Sequence, residues 1–473
     1  MRSIFSSPIF RRKLVLLFGD DLCIIFGELL VFSLYWVLRG NFDYSMLPRQ
    51  SVIILPTIFF YFITFYIFGL YTLEHLPSRV YSLLPRIILA VVINAIPPII
   101  YSFIFSKYLP GMGRIVIITK IPVIILLITL WRLFFNTVVM KNIKLPRVGI
   151  ILSPKYANEY LRDLLPYNGI EIDLAAICIF STNDETFCPV LEDVPRHVNL
   201  VATIEELSTI PNIDMIAIPE DTQQLNSADI DLLMQLRVSG MRLMDLPSFY
   251  RKLTLKTPIF FVDNQWKLNF MGLLLPERDI FLKAKAIVDR MGSLVLLVLL
   301  SPVMLLIALA IKLESPGPVF FIQERLGFLE IPFKIYKFRT MVVDAERKFG
   351  SLWVQKDDPR VTRVGKHLRR LRLDELPQLI NVLIGEMSFI GPRPMKPDFA
   401  RRVKQRINFH PIRHVVKPGI TGWAQINMPY VGSITEELEK FQYDLFYIQS
   451  QSALLDLYII INTIHYVLIP RGQ

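Results

Sequence analysis

Four long apolar runs in the first third of the chain constrain its fold more than any other feature. They cover residues 14–38, 51–71, 83–106 and 115–139, and each is close to the roughly 20 residues that a helix needs to cross a bilayer. The sequence is 53% hydrophobic, with a mean hydropathy of +0.44. We therefore expect residues 1–140 to form a four-helix transmembrane bundle.

Basic residues flank this bundle on both sides. Three lie at positions 11–13, before the first run, and three more lie between positions 141 and 147, after the fourth. By the positive-inside rule, both ends of the bundle should face the cytoplasm. Asp20, Asp21 and Glu28 lie within the first run, where acids are costly unless they are buried among helices. We expect these acids to be packed or near the interface rather than part of a transport path.

Residues 146–270 alternate between strand-like and helix-like segments. The stretches RVGIIL, IDLAAICIF and IDMIAIP are typical of buried strands, and KYANEYLRDLL and ADIDLLMQLRVSG are typical of helices. This alternation predicts a parallel sheet and a Rossmann-like α/β domain. The first strand runs into SPKYANE rather than a G-x-G-x-x-G turn, so we expect a scaffold or regulatory domain without the dinucleotide fingerprint.

The third part of the chain, residues 280–473, opens with another apolar element. Residues 291–311 carry no charged side chain. This uncharged stretch is long enough for a helix to span a membrane. Ser301 and Pro302 lie in the middle, where proline removes a backbone hydrogen bond and serine can satisfy the freed carbonyl. We expect a re-entrant helix at about 287–313 that breaks at this pair and returns. A plain kinked span is the alternative.

The positive charge of the chain is concentrated in this third part. Residues 321–420 contain 21 Lys and Arg against 10 Asp and Glu, a surplus equal to the net charge of the whole chain, +11. Such a block requires anionic partners: nucleic acid, lipid headgroups or phosphorylated substrates. The β-prone stretches PVFFIQERLG and IPFKIYKFRTM lie in it, and the second places Lys334, Lys337 and Arg339 close together on one strand.

One acidic pair interrupts the basic block, in the stretch RRLRLDELPQLINVL at residues 369–383. The apolar residues that follow have helical spacing: Leu376, Leu379, Ile380, Leu383 and Ile384. Pro377 fits only the first turn of a helix, so the helix should begin near Asp374 or Glu375. The acids would then lie at the positive end of the helix dipole, where phosphate also binds. An N-cap beside a solvated arginine face is the alternative.

The motifs of this third part resemble those of the bacterial sugar transferase family, the polyprenol-phosphate sugar-1-phosphate transferases or monotopic phosphoglycosyl transferases. The resemblance covers about residues 280–470 and rests on SPGPVFFIQERLG, FKIYKFRTM, DPRVTRVGKHLRRLRLDELPQLINVLIGEMSFIGPRP and KPGITGWAQIN. The apolar runs and the α/β domain resemble large-form members. The stretch that begins at Pro397 is more similar to the exopolysaccharide members that accompany exosortase systems.

The resemblance implies a reaction and roles for individual residues. A sugar-1-phosphate would pass from a UDP-sugar to undecaprenyl phosphate, with release of UMP, as the initiating step of exopolysaccharide or related glycan synthesis. Asp374 would be the nucleophile that forms a covalent aspartyl-phosphosugar, and Glu375 would help to hold Mg²⁺. The Ser301–Pro302 pair would break the re-entrant helix. The phosphate- and substrate-binding residues would be Lys337, Arg339, Arg369 and Arg393. The chain departs from the family pattern at WAQINMPYVGS, so the sugar and nucleotide contacts from that loop stay open.

The resemblance also implies a location and partners. The chain would be a multi-pass protein of the bacterial inner membrane, with residues 280–473 as a catalytic domain that faces the cytoplasm. A homodimer through the N-terminal two-thirds is expected by analogy. The basic stretch PDFARRVKQRINF and the apolar stretch SALLDLYIIINTIHYVLIP should rest on anionic headgroups or pack inside the domain.

Another class of protein would use the same positive charge. A non-enzymatic membrane protein could bind nucleic acid or acidic lipids through a basic cytoplasmic domain. An acidic pair among the cations and a broken apolar helix ahead of them have no role in such a protein. A transporter built on the four-span bundle would leave the basic block without a function. We therefore favour the enzyme and expect no nucleic acid as a partner.

Overall fold

The computed structural model describes residues 8–38, 57–66, 68, 70–71, 80–97, 114–139, 145–179, 194–219, 225–260, 279–342, 358, 360–428 and 434–468. Their contacts divide the chain into two compact units. The first unit is formed by Arg2–Arg147 and Tyr167–Leu174, and the second by Met1, Val148–Pro166 and Ala175–Gln473.

The first unit contains the helices α1 (Pro8–Leu38), α2 (Thr57–Tyr66), α3 (Val80–Asn94) and α4 (Arg114–Phe134), which continues as a π-helical turn, Phe135–Val139. Buried apolar side chains from all four helices form one core, which includes Leu16, Ile24, Phe65, Ile87, Val91, Ile124 and Ile128. Among the described residues, two helices are long and apolar enough to cross a membrane, Ile118–Val138 and Phe281–Glu314. The four-span bundle remains a prediction, since parts of its second and third runs lie outside the described residues.

Two acids of α1 are packed inside this unit, as expected. Asp20 is fully buried, and its Oδ2 lies 2.5 Å from Nη2 of Arg132. Glu28 is buried too and accepts a hydrogen bond from Lys120. Both cations belong to α4, so each ion pair fastens α1 to α4. Pairing of this kind is what makes a carboxylate tolerable inside an apolar bundle.

The α/β part has the predicted parallel sheet. Its strands are β1 (Arg147–Leu152), β2 (Asp173–Ile179), β3 (Asn199–Val201), β4 (Met215–Ile218) and β5 (Arg242–Asp245), in the order β3-β2-β1-β4-β5. The helices are α5 (Ala157–Leu164), α6 (Ile204–Thr209), α7 (Ser227–Val238) and α8 (Leu246–Thr254). Strand residues such as Ile151, Ala176 and Ile216 are buried against α6 and α7. The predicted borders of this domain, 146 and 270, remain predictions.

The rest of the second unit begins with α9 (Asp279–Glu314), the antiparallel hairpin of β6 (Phe320–Leu326) and β7 (Pro332–Phe338), and α10 (Arg363–Arg370). A 3-10 turn, Leu373–Glu375, separates α10 from α11 (Gln378–Ile384). The later elements are β8 (Ser388–Ile390), α12 (Pro397–Arg406), a 3-10 segment (His410–Val415), β9 (Gly419–Thr421), α13 (Trp423–Asn427), α14 (Ile434–Ser450) and α15 (Ala453–Leu468). Strands β8 and β9 pair in parallel.

Helix α9 stays helical through Ser301 and Pro302, so the predicted break in the helix is not present. Pro302 has no N–H with which to bond the carbonyl of Val298. The Ser301 hydroxyl donates to that carbonyl instead, at 2.8 Å, which is the compensation that the sequence predicted. The backbone can therefore remain helical across the proline.

Both ends of α9 contact the same domain. Near its start, Nζ of Lys285 lies 2.6 Å from a carboxylate oxygen of Asp456 on α15. At its end, Glu314 accepts a hydrogen bond of 2.7 Å from the backbone N–H of Arg363 on α10. Between these contacts, the side chains of Val298 and Leu299 are 69% and 68% exposed. The helix is thus fastened at both ends and leaves apolar side chains uncovered between them.

Helix α11 presents a different buried face from the one that the apolar spacing predicted. It begins at Gln378, after the 3-10 turn that carries the two acids, and Ile384 is 58% exposed. Asn381 is fully buried, accepts a hydrogen bond of 3.2 Å from the N–H of Tyr336 and donates one of 2.7 Å to the carbonyl of Lys334. Asn381 therefore fixes α11 to β7.

Replacing Asn381 should destabilise this domain. In Asn381→Ala, a buried N–H and a buried carbonyl of β7 lose their partners, and we expect the free energy of unfolding to fall by about 2 to 4 kcal/mol. Ile384→Ala, on the exposed side of the same helix, should change it by less than about 1 kcal/mol. Denaturant unfolding of the detergent-solubilised protein measures both changes, and equal effects would show that Asn381 does not fix α11 to β7.

Candidate active site

Three segments bring the candidate catalytic side chains together. Strand β7 supplies Lys337, the 3-10 turn supplies Asp374 and Glu375, and the loop after β8 supplies Arg393. The 3-10 turn is held by apolar contacts, because Leu373 and Leu376 on either side of the acids pack against a cluster that includes residues of α9. The acids thus lie beside the apolar helix.

A left-handed residue precedes the turn. Arg372 has a φ of 53°, a region that costs a residue with a Cβ about 1 to 2 kcal/mol. Its backbone carbonyl accepts a hydrogen bond of 3.2 Å from the N–H of Glu375. The chain therefore reverses sharply between α10 and the acids, and the arginines of α10 come close to the acidic pair.

Glu375 is the electrostatic centre of the site. Its Oε1 lies 2.7 Å from Nζ of Lys337 and 2.7 Å from Nη2 of Arg393, and the residue is only 8% exposed. Burial raises the pKa of Glu375, but the charges and hydrogen bonds of Arg393 and Lys337 outweigh this effect and hold the pKa below its ordinary value. Glu375 is therefore ionised at any physiological pH.

Asp374 takes part in neither of these ion pairs. Burial and the neighbouring charge of Glu375 raise its pKa above the ordinary value, while Lys337, Arg369 and Arg393 oppose the shift. The site thus contains two acids in different states: one neutralised by two cations, and one half-buried carboxylate near three cations. The carboxylate of Asp374 can approach an anionic substrate, because the positive charge around it offsets the repulsion between the two anions.

The structure brings together five of the six predicted catalytic and substrate-binding residues. Arg369, on the last turn of α10, donates from Nε to the hydroxyl of Thr340 at 2.8 Å and lowers the pKa of Asp374. Arg339 lies apart from the acids. The residue is 6% exposed, and its guanidinium donates to the carbonyls of Ser315 and Pro316, at 2.8 and 2.9 Å. Arg339 thus fixes the end of α9 rather than facing the acids.

Backbone contacts hold the loop of Arg393 in place. The N–H of Gly391 donates to the carbonyl of Thr421 at 2.9 Å, and the N–H of Gly419 donates to the carbonyl of Pro392 at 3.0 Å. A Cβ at Gly391 would clash with the carbonyl of Lys417, and one at Gly419 would clash with the N–H of Gly391. The GPRP and KPGITG stretches therefore need glycine because their backbones touch.

Sequence reasoning missed the side chain that supports this loop from behind. Arg413 is 1% exposed, and its Nη2 donates to the carbonyl of Arg393 at 3.2 Å. Its own charge is balanced by Asp444 and Glu437 of α14, at 2.6 and 3.2 Å. Nothing in the stretch PIRHVV distinguishes this arginine from a solvated one, because its partners lie 24 and 31 positions later.

The donor atoms of the site fit a divalent cation only in part. Within the described residues, no group of three or more His, Cys, Asp or Glu side chains could hold a metal ion. Mg²⁺ is often bound by one or two carboxylates together with substrate phosphates and water. Asp374 and the second oxygen of Glu375 can supply that share, since the two ion pairs occupy only Oε1 of Glu375.

The part of the sequence that contains this site resembles known proteins. Residues 280–470 match the family model described as bacterial sugar transferase. A UDP-N-acetylgalactosamine-undecaprenyl-phosphate N-acetylgalactosaminephosphotransferase from Aeromonas hydrophila is 44% identical over 204 residues, which are 43% of this chain and 48% of that protein. A UDP-glucose:undecaprenyl-phosphate glucose-1-phosphate transferase from Escherichia coli is 48% identical over 180 residues, 37% of this chain and 38% of that protein.

The extent of these matches differs between relatives. The chain spans less than half the length of the Aeromonas and Escherichia proteins. An uncharacterized sugar transferase from Bacillus subtilis is 40% identical over 188 residues, which are 40% of this chain but 89% of that protein. A segment of about this length can therefore make up nearly an entire member of the family.

Proposed function

Because the chain belongs to the bacterial sugar transferase family, we propose that it transfers a sugar-1-phosphate from a UDP-sugar to undecaprenyl phosphate and releases UMP. The observation that carries this proposal is the unequal state of the two acids. Glu375 is neutralised by Lys337 and Arg393, whereas Asp374 takes part in neither ion pair. The names of the Aeromonas and Escherichia relatives support this reaction class, with undecaprenyl phosphate as acceptor.

The proposed reaction has two steps. A carboxylate oxygen of Asp374 attacks the phosphorus that bears the sugar, a new P–O bond forms, and the bond to UMP breaks, so that UMP leaves with its bridging oxygen. A phosphate oxygen of undecaprenyl phosphate then attacks the same phosphorus and releases the carboxylate. Covalent catalysis of this kind divides one transfer between two bulky anions into two easier displacements.

The cations do most of the catalytic work in this proposal. Phosphoryl transfer depends mainly on positioning and on stabilisation of charge. Arg393 and Arg369 can contact phosphate oxygens with two N–H groups each, and Lys337 acts as a point charge. In the free protein two of these cations are paired with Glu375, so they stay in place before the substrate arrives.

Mg²⁺ is proposed as the cofactor. Asp374 and Glu375 would share it with the diphosphate of the substrate. When bound, it adds positive charge to the diphosphate and so favours attack by an anionic nucleophile. Asp374 would be oriented by this shared ligation, and Lys337 and Arg393 would keep Glu375 ionised and in place.

We propose that α9 is re-entrant through a bend at Pro302 within a continuous helix, rather than through the break expected from the sequence. A helix that crossed the bilayer would have its ends on opposite sides, yet both ends of α9 contact one domain, through Lys285 and Glu314. The uncovered apolar side chains around Ser301 and Pro302 would enter one leaflet, where the prenyl chain of the acceptor lies. We propose a multi-pass protein of the bacterial inner membrane with its catalytic domain in the cytoplasm, where UDP-sugars are made.

The pathway and the assembly belong to the same proposal. We propose that the reaction initiates exopolysaccharide or related glycan synthesis, as in the exosortase-associated members that the C-terminal stretch resembles. A homodimer remains a prediction. Assay of a panel of UDP-sugars with radiolabelled sugar would identify the donor, because label enters the organic phase only when it is transferred to the lipid.

Asp374→Asn should abolish the reaction. The substitution keeps the shape of the side chain but removes the attacking charge, so activity should fall by several orders of magnitude. Asp398→Asn, an exposed aspartate of α12, is the matched control and should keep nearly full activity. Without acceptor lipid, the unmodified enzyme should release about one UMP per site and gain the mass of a sugar phosphate. Absence of UMP until undecaprenyl phosphate is added would favour direct transfer in a ternary complex.

Removal of divalent cations should stop UMP release. After treatment with EDTA we expect no release from UDP-sugar, and addition of Mg²⁺ should restore it. Glu375→Gln should raise the Mg²⁺ concentration needed for half-maximal activity and leave activity that excess metal partly restores. Full activity in EDTA would overturn the metal proposal and leave the cations of the protein as the sole stabilising charges.

Residue 401 should be inaccessible from outside the cell. Arg401 is exposed on α12, so Arg401→Cys in a background without the three native cysteines places a thiol on the catalytic domain. A membrane-impermeant maleimide should label it only after spheroplasts are permeabilised. Labelling of intact spheroplasts by an active variant would mean that α9 spans the membrane, and the re-entrant position would be wrong.

A further inference from the structure

The loop after β8 that carries Arg393, here called the arginine loop, is held by a helix that itself takes no part in the proposed chemistry. Arg413 donates to the carbonyl of Arg393 and is bound in turn by Asp444 and Glu437 of α14. One turn along the same helix, the hydroxyl of Tyr447 donates to the carbonyl of Ile390 at 3.2 Å. Helix α14 thus reaches the loop on both sides of its Gly-Pro pair.

These contacts are rigid because they bury charge. Arg413, Glu437 and Asp444 are each 1% exposed. A buried charge that loses its partner is strongly unfavourable, so the three groups have little freedom to separate. A displacement of α14 would therefore carry Arg413 with it and shift the backbone of Arg393.

Helix α14 also contacts the α/β part. A docking segment, residues 250–257, lies against it. The N–H of Thr257 donates to the carbonyl of Gln442 at 3.0 Å, and its hydroxyl donates to Oε1 of Gln449 at 2.9 Å. Nζ of Lys256 lies 2.5 Å from Oε1 of Glu439. Lys256 and Thr257 are 8% and 3% exposed, whereas the side chain of Glu439 is 43% exposed, so the contact is buried on the side of the docking segment.

A second contact joins the docking segment to the same loop from the other side. Nε1 of Trp423 donates to the carbonyl of Leu255 at 3.0 Å. Trp423 is 3% exposed and follows β9 after one residue, and the backbone of β9 is hydrogen-bonded to the arginine loop. The docking segment therefore meets the two elements, α14 and the start of α13, that support this loop.

We infer that Arg413 is a positioning residue for Arg393, and that the docking segment of the α/β part sets this position through α14 and Trp423. The inference rests on the proposed function for its kinetic consequence but not for its structural one. The α/β part has no dinucleotide fingerprint. Under this inference its function in the transferase is to keep the arginine loop in the geometry that binds the diphosphate.

The test compares two sets of changes in the docking segment. The double substitution Lys256→Met with Thr257→Val removes its side-chain bonds to α14 and keeps the side-chain volumes similar. Lys252→Met changes the same residue type one turn earlier and serves as the matched control. Two quantities are measured in the full-length protein: hydrogen exchange of the amides in residues 388–394, and the steady-state constants for UDP-sugar and undecaprenyl phosphate.

The double variant should exchange faster at residues 388–394, while the amides of β1 and β4 exchange as before. It should also show a kcat/KM for UDP-sugar reduced by about 10-fold, mostly through KM, with an unchanged KM for undecaprenyl phosphate. A merely smaller folded fraction would lower kcat and leave both KM values unchanged. Exchange and kinetics equal to those of the Lys252→Met control would overturn the inference.

Two single changes keep the test decisive if the double variant does not fold. Trp423→Phe removes the N–H that bonds to Leu255 and keeps an aromatic ring, although a smaller one, and Arg413→Lys keeps the charge but cannot serve the carbonyl and both carboxylates together. Each should speed exchange at residues 388–394, and unchanged exchange in both would overturn the inference. If the unmodified protein transfers no sugar phosphate, the proposed function fails, and the exchange measurement alone still decides whether the docking segment positions the loop.

Discussion

A buried carboxylate is tolerated inside a protein when cations neutralise it, and the double ion pair of Glu375 connects most of the candidate site. It joins a β-hairpin, a 3-10 turn and a glycine-dependent loop at one oxygen atom. Removal of Glu375 would leave two cations without this partner, so these segments depend on one another. Asp374 forms neither of these ion pairs, but the two cations that Glu375 binds remain close to the carboxylate of Asp374 and oppose the rise in its pKa that burial causes.

Local patterns predicted much of the fold. The alternation of strands and helices after residue 146 predicted the parallel sheet, because such periodicity is set by burial within a few residues. The serine that compensates for Pro302 was predicted for the same reason, since donor and acceptor lie three positions apart. The pairing of Lys337 and Arg393 with Glu375 is different. Resemblance to a family implied that these residues share a site, while helical spacing alone left a plain N-cap open.

Asn381 and Arg339 were misjudged for the same physical reason: their partners are far away in sequence. Asn381 lies in a helix whose apolar spacing favoured another face, and its hydrogen bonds reach a strand 45 to 47 positions earlier. Arg339 was expected on one strand with Lys337, but it follows the end of β7, and its guanidinium bonds to residues 23 and 24 positions before it. The break expected at Ser301 and Pro302 did not occur because the hydroxyl restores the lost hydrogen bond.

Because both ends of α9 are bound to one domain, the thickness of the bilayer constrains this helix less than it constrains a spanning helix. A helix that spans the membrane must match the full hydrophobic thickness, and it tilts or distorts when the lipids are too thin or too thick. In the re-entrant position, α9 would enter only a single leaflet, so its depth would follow the packing of headgroups and the curvature of that leaflet. Membranes that differ in thickness would then be nearly equivalent for the site, whereas lipids that loosen the surface of one leaflet would not.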